Sequence, residues 1–238
     1  MCQVTYYFSA ALSLGAPDRA VSFTVPTGNF GDIFAGFVAL KMGLPIERLV
    51  IATNDNDILA RTLETGTYEM RGVTATTSPS MDIQISSNFE RLLFEASDRD
   101  SSDIRRMMAG LKQARAFSIP EKPLAAIKSN FAAGSSTTQE TAQTISAMLA
   151  DNGYLIDPHT AVGVKVAREQ APCATPMVVL STAHPAKFPD AVLAACGVSP
   201  ALPRHLADLM SRKESLTRLP SDLKQVQDHI SRHTRAAV

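Results

Sequence analysis

A β-prone run, Val21–Val25, stops at Pro26, passes Gly28 and Gly31, and enters a helical pattern with Phe34, Val38 and Met42 on one face. A strand that turns through glycines directly into a helix is the opening of a βαβ unit, so the segment points to a parallel α/β sheet. The same order of elements makes a site for a phosphate dianion. The first-turn N–H groups of a helix have no partner inside it, the aligned peptide dipoles make that end positive, and glycines let the backbone close on an anion with no Cβ in the way. Two spaced glycines also serve an ordinary tight βα turn. The third glycine and following acid of a dinucleotide site are missing, as is the Gly-Lys-Ser/Thr of a Walker loop. Asp32 caps a helix start well, but it must face away from any phosphate bound there.

The pattern continues in the same style. A helix is expected over 3–14, a strand over 20–25, a helix over 30–42 closed by Gly43-Leu44-Pro45, a strand over 49–53 and a helix over 55–65. A Thr/Ser-rich loop over 72–88 leads to helices at 88–96 and 100–116, a linker at 119–123 and a helix at 135–151. A short strand at 154–156, a helix at 158–170 with Pro158 in its first turn, and a buried strand at 177–181 follow. Helices at 190–196, 201–212 and 221–235 complete the chain. The parallel pieces at 20–54 and 154–182 are expected to share one sheet, with about 67–152 as an excursion between them.

Four stretches carry a family resemblance: Pro26-Thr27-Gly28-Asn29-Phe30-Gly31-Asp32; Ile51-Ala52-Thr53-Asn54 with Asn56 and Asp57; Pro79–Arg91; and Leu180-Ser181-Thr182-Ala183-His184-Pro185-Ala186-Lys187-Phe188. Each resembles threonine synthases, in the family's order. The resemblance implies an α/β fold with a parallel sheet flanked by helices, part of a fold-type II pyridoxal-phosphate enzyme and incomplete at the N-terminus, so that residues 1–238 would be the C-terminal portion of the cofactor-binding domain. It implies a lyase that turns O-phospho-L-homoserine and water into L-threonine and phosphate. It implies pyridoxal 5′-phosphate as cofactor, with Gly28, Asn29, Phe30 and Gly31 holding its phosphate and Thr182, with Ser181, meeting the pyridine nitrogen. Phe30 also reads as a packing residue, and the Ser-Thr pair also reads as a helix cap.

For the substrate, Asn54 stands at the C-terminal end of a strand, the ligand edge of open α/β sheets, and Asn88 and Arg91 stand on a helix start and its first turn. Arginine suits a bidentate grip on phosphate or carboxylate, or is an exposed helix residue. Lys187 reads as a phosphate contact or as a solvated loop lysine. In the family the Schiff-base lysine lies well upstream of the glycine loop. All lysines here follow that loop, and none has the family's lysine context. The chain is therefore expected to lack the catalytic lysine, to be inactive alone, and to pair with a missing N-terminal portion. The alternative is a non-catalytic phosphate-binding or regulatory subunit docking onto a complete enzyme.

Composition narrows the remaining classes. Of 238 residues, 23 are basic and 23 acidic, which gives no electrostatic reason to expect nucleic acid or an anionic membrane as partner. No apolar run is long enough to span a bilayer, and the first residues lack a basic signal-peptide region. Cys2, Cys173 and Cys196 form no metal or disulfide spacing, so three reduced thiols in a cytoplasmic protein are expected. His229 and His233 are four apart on the last helix, but without the Glu of a His-Glu-x-x-His pattern no metal is expected.

Overall fold

The structure, a computed structural model, describes residues 2–170 and 175–234, so Cys173 lies outside it. The chain divides into two compact units, Met1–Pro200 and Ala201–Val238. The first unit opens with α1 (Val4–Ser13), β1 (Val21–Pro26), α2 (Gly31–Lys41), β2 (Ile46–Thr53) and α3 (Ile58–Thr65). A small antiparallel pair, β3 (Thr67–Glu69) with β4 (Ala116–Ser118), brackets α4 (Phe89–Ala96) and α5 (Ser101–Ala114). Then come α6 (Glu121–Lys128), β5 (Phe131–Ser135), α7 (Thr138–Asn152), α8 (Pro158–Glu169), β6 (Met177–Val179) and α9 (Pro189–Cys196).

The main sheet is parallel throughout, in the order β5-β2-β1-β6. All six residues of β1 are buried, as a strand covered on both faces requires. The two-residue period of β2 sorts its side chains between two cores. Leu49 and Ile51 join Tyr7, Phe23, Phe30 and Ile33 under α1 and α2. Val50 and Ala52 face Val162 and Val166 of α8 on the other side, together with Met81. The sheet is thus a middle layer between helices.

Several expectations change in three dimensions. Phe131–Ser135, inside the stretch read as an excursion, is a strand of the main sheet. Its composition (Phe-Ala-Ala-Gly-Ser) carries little β-signal, and it is a strand because β2 offers a free edge in register from Leu49 to Thr53. Residues 119–123 are not a linker, because Pro120 stands at the cap and the chain enters α6 at Glu121. Residues 154–156 are not a strand: Ile156 is drawn into a cluster with Ile145 and Ala161, and among the described residues no strand pairs with the segment. In the second unit, 201–212 forms two single 3₁₀ turns, Arg204–Leu206 and Leu209–Ser211, rather than one helix, with Pro203 fixing the entry to the first. The helix expected near 221–235 is present as α10 (Leu223–His233), with the Asp222 side chain accepting from Gln225 N–H. It carries the stacked rings of His229 and His233.

Gly36 sets how closely α1 lies on α2. A Cβ there would come within 2.5 Å of the Tyr7 ring and 2.9 Å of Leu49 Cδ2. Tyr7 cannot yield easily, because it is fully buried and its hydroxyl donates to the Asp32 carbonyl at 2.8 Å. Alanine gains up to about 1 kcal/mol of helix propensity over glycine, whereas overpacking costs about 1–3 kcal/mol. Gly36→Ala is expected to destabilise the chain by roughly 1–2 kcal/mol, read as a lower denaturation midpoint in urea. A midpoint at or above that of the parent would refute the packing argument.

Candidate functional site

Strand order decides where a ligand can sit. The sheet runs from β1 to β2 on one side and from β1 to β6 on the other, so the connections diverge at β1/β6, and ligands of open α/β sheets bind at the C-terminal strand ends of such a point. A cavity of about 550 Å³ lies there. One wall is Thr27–Asp32, leaving β1, and the opposite wall is Leu180–Thr182, leaving β6.

The loop is fixed by its carbonyls and leaves its amides free. Ser86 Oγ donates to the Gly28 carbonyl at 2.8 Å, and Asn88 gives both its backbone N–H (3.1 Å) and its Nδ2 (2.9 Å) to the Asn29 carbonyl. Thr27 N–H donates to Ala52 at 2.8 Å. Among the described residues, no protein group accepts from the N–H of Gly28, Asn29, Phe30 or Gly31. The run of amides stands at the positive end of α2, a place where backbone N–H groups and the helix dipole favour an anion. Gly28 is required by close approach, since a Cβ there would stand 2.7 Å from the Ser80 carbonyl oxygen. Phe30 adopts a left-handed conformation, φ 65°, uncommon for an aromatic residue. Its ring anchors that turn in the core, edge-on to Phe89 at 5.2 Å and near Phe131 at 5.9 Å. Packing is therefore its side chain's role, while its N–H belongs to the amide run.

The other expected residues separate into groups. Ser181 and Thr182 are exposed on the facing wall. Asn88 supports the loop from behind rather than lining the cavity. Asn54 is buried and committed: its Nδ2 reaches Asp82 Oδ1 at 2.7 Å and Ser78 Oγ at 2.9 Å, and its Oδ1 accepts from Asn56 N–H at 2.9 Å. It ties down the 74–82 segment that backs Gly28. Arg91 lines a separate groove with Phe34, Phe94 and Ile104. Lys187 is exposed, with its ammonium 5.8 Å from the Phe188 ring centroid. No lysine among the described residues lines the loop cavity.

Sequence reasoning missed Gln3 and Tyr6 of the N-terminal segment, which line the cavity, and Ser80, Asp157, His159 and Thr160, which stand behind its walls. The Asp-Pro-His-Thr run at 157–160 read only as a helix start, and nothing in its spacing showed that it reaches Ser80 and Ser181.

Asp32 lines the same cavity, but its carboxylate is engaged from behind by the Tyr7 hydroxyl at 3.3 Å. Burial pushes its carboxyl above the usual carboxylate range, against a smaller opposing effect of the Tyr7 hydrogen bond. Burial, and then the negative Asp32, push the Tyr7 phenol well up. A carboxyl raised in the folded state favours folding most when protonated, so its contribution is lost as pH rises through its folded pKa. Asp32→Asn keeps an acceptor for Tyr7 and removes the charge. It is expected to melt a few degrees above the parent at pH 7, with the gap closing as pH falls through the carboxylate range. A gap independent of pH would refute the assignment.

Comparison with known proteins follows the same geometry. The family model described as "Threonine synthase, C-terminal" matches residues 160–230. Threonine synthase of Pseudomonas aeruginosa is 47% identical over 235 residues, covering 98% of this chain and 50% of its own length. That of Corynebacterium glutamicum is 41% identical over 238 residues, covering 97% and 50%. Among solved structures, the crystal structure of PLP-bound threonine synthase from Brucella melitensis superposes with a TM-score of 0.89 at 70% identity, covering 98% of this chain and 50% of that one. Threonine synthase from yeast gives 0.81 at 38% identity, covering 96% and 50%. The chain spans about half the length of the curated relatives it matches, and in both sequence and fold it is a relative of the threonine synthases across that half.

Proposed function

We propose that this chain supplies the phosphate-binding half of a threonine synthase site, in an enzyme that converts O-phospho-L-homoserine and water to L-threonine and phosphate with pyridoxal 5′-phosphate. The observation that carries the reading is the run of unpaired amides at Gly28–Gly31 facing the hydroxyls of Ser181 and Thr182 across one cavity. The residues fit such a cofactor. The amides, backed by the α2 dipole, take the phosphate dianion, and the Gly28 cradle leaves no room for a side chain. The hydroxyl wall orients the ring by its nitrogen, and a neutral hydroxyl there, unlike a carboxylate, leaves that nitrogen largely uncharged. When bound, pyridoxal phosphate supplies an electron-withdrawing ring that stabilises negative charge on the substrate carbons next to the amino group. Gly28, Asn29 and Gly31 hold and position. Lys187, just beyond Thr182, offers a cation to the substrate phosphate, while Asn54 and Asn88 act by shaping the loop.

The covalent attachment to cofactor and the proton shuttle of the α-carbon call for an amine. In this reading they come from an N-terminal portion of the synthase, which is the partner proposed for the chain. The unpaired thiols Cys2 and Cys196 accord with a cytoplasmic setting. Among the described residues no helix is long and apolar enough to cross a membrane. A second reading, a non-catalytic phosphate-binding subunit, draws on the cavity lining, which holds no lysine among the described residues.

Titration with pyridoxal 5′-phosphate, followed by 31P NMR, is expected to show one saturable site displaced by inorganic phosphate. Gly28→Ala is expected to weaken it by about tenfold or more, since each factor of ten is about 1.4 kcal/mol. Uptake confined to scattered surface lysines after borohydride trapping, and insensitive to Gly28→Ala, would overturn the reading. Threonine formation on co-expression with the N-terminal half of a threonine synthase separates the catalytic reading from the subunit reading.

A further inference from the structure

The two walls of the cavity leave different strands, yet both are tied to one buried carboxylate. The Ser80 carbonyl backs Gly28, 2.7 Å from where a Cβ would stand, and the Ser80 N–H donates to His159 Nε2 at 3.4 Å. Because Nε2 accepts, the ring proton is on Nδ1, which donates to Asp157 Oδ1 at 3.0 Å. On the other side, Thr160 Oγ1 gives its single proton to Asp157 Oδ2 and lies 3.3 Å from Ser181 Oγ. The Thr160 hydroxyl thus stands between the Asp157 carboxylate and the Ser181 hydroxyl and faces both. Asp157 has no exposed surface, His159 and Thr160 are each only 4% exposed, and the Phe188 ring covers the imidazole at 4.7 Å between centroids.

We infer that Asp157 is a positioning residue that holds the Gly28 wall and the Ser181–Thr182 wall in register, one through His159 and Ser80, the other through Thr160. This rests on the reading of the cavity as a cofactor-phosphate site. The same carboxylate caps α8, accepting from the backbone N–H of His159 at 2.8 Å and of Thr160 at 3.3 Å. Capping alone needs one oxygen, and asparagine does it as well as aspartate. Holding both side chains needs two acceptors, because the Nδ1–H of His159 and the O–H of Thr160 are both donors. An asparagine amide nitrogen is accommodated only by turning one partner round: the Thr160 hydroxyl accepts instead of donating, or His159 moves its proton to Nε2 and loses its bond from Ser80.

Asp157→Asn thus separates a cap from a positioning residue. The expected result is a melting temperature within a few degrees of the parent, displaced 1H–15N resonances for Gly28, Gly31 and Thr182, a changed 31P shift of bound pyridoxal 5′-phosphate, and a dissociation constant raised about tenfold. Two further variants leave the carboxylate and cap in place and cut one arm each. His159→Asn keeps a donor toward Asp157 but loses the acceptor for Ser80, and it is expected to move the Gly28 and Gly31 resonances. Thr160→Val is expected to move Thr182. These two decide the matter if Asp157→Asn does not fold. Unmoved resonances and an affinity within twofold of the parent in folded variants would overturn the inference. Failure of the parent chain itself to take up pyridoxal 5′-phosphate would instead overturn the proposed function, and the ligand-free resonances would still judge Asp157.

Discussion

An asymmetry in hydrogen bonding around one loop organises this chain. Between β1 and α2 the carbonyls of Gly28 and Asn29 are occupied by Ser86 and Asn88, while the amides of Gly28–Gly31 meet no protein acceptor among the described residues. Unpaired donors in a partly enclosed place are unfavourable for an empty protein and favourable for one that binds an anion. The rest of the unit keeps the loop in that state. Phe30 holds a left-handed turn by burying its ring between Phe89 and Phe131, and the 74–82 segment, bound by Asn54 and Asn56, backs Gly28 so closely that no side chain fits.

The supports come from distant parts of the chain. Phe131 belongs to β5, Ser86 and Asn88 to the approach to α4, and Tyr7, which engages Asp32, to α1. Among the described residues Asp32 is the one acidic side chain lining the cavity, and the Tyr7 hydroxyl engages its carboxylate from the α1 side. The buried Asp157 network adds a second layer that connects the loop's backing to the hydroxyl wall. A carboxylate this deep persists because four donors converge on it: two backbone amides, an imidazole N–H and a hydroxyl.

Much of the framework is legible in the residues taken in order. The strand–glycine–helix passage at 21–41 is local chemistry: β-prone residues, glycines where backbones approach, then a helical period. The hydroxyls at 181–182 are recognisable by their place after an apolar run. Elements whose identity depends on a neighbour are not legible. Phe131–Ser135 has the composition of a loop and becomes a strand because β2 presents an unpaired edge, and Tyr154–Ile156 has the composition of a strand and finds no edge to join. The same holds at the site. Asn54 and Arg91 have the right chemistry for a substrate, but pairing with Asp82 and Ser78 occupies the first, and the second faces a different groove.

The sequence by itself determined the parallel α/β class and the strand–glycine–helix turn at 21–41, because each rests on residues adjacent along the chain and on backbone preferences that need no partner. Only the tertiary structure decided that β6 lies beside β1, which brings Ser181 and Thr182 across from Gly28, and that Asp157 reaches both walls. Strand order and long-range hydrogen bonds depend on which surfaces meet after burial, and no local spacing encodes that meeting.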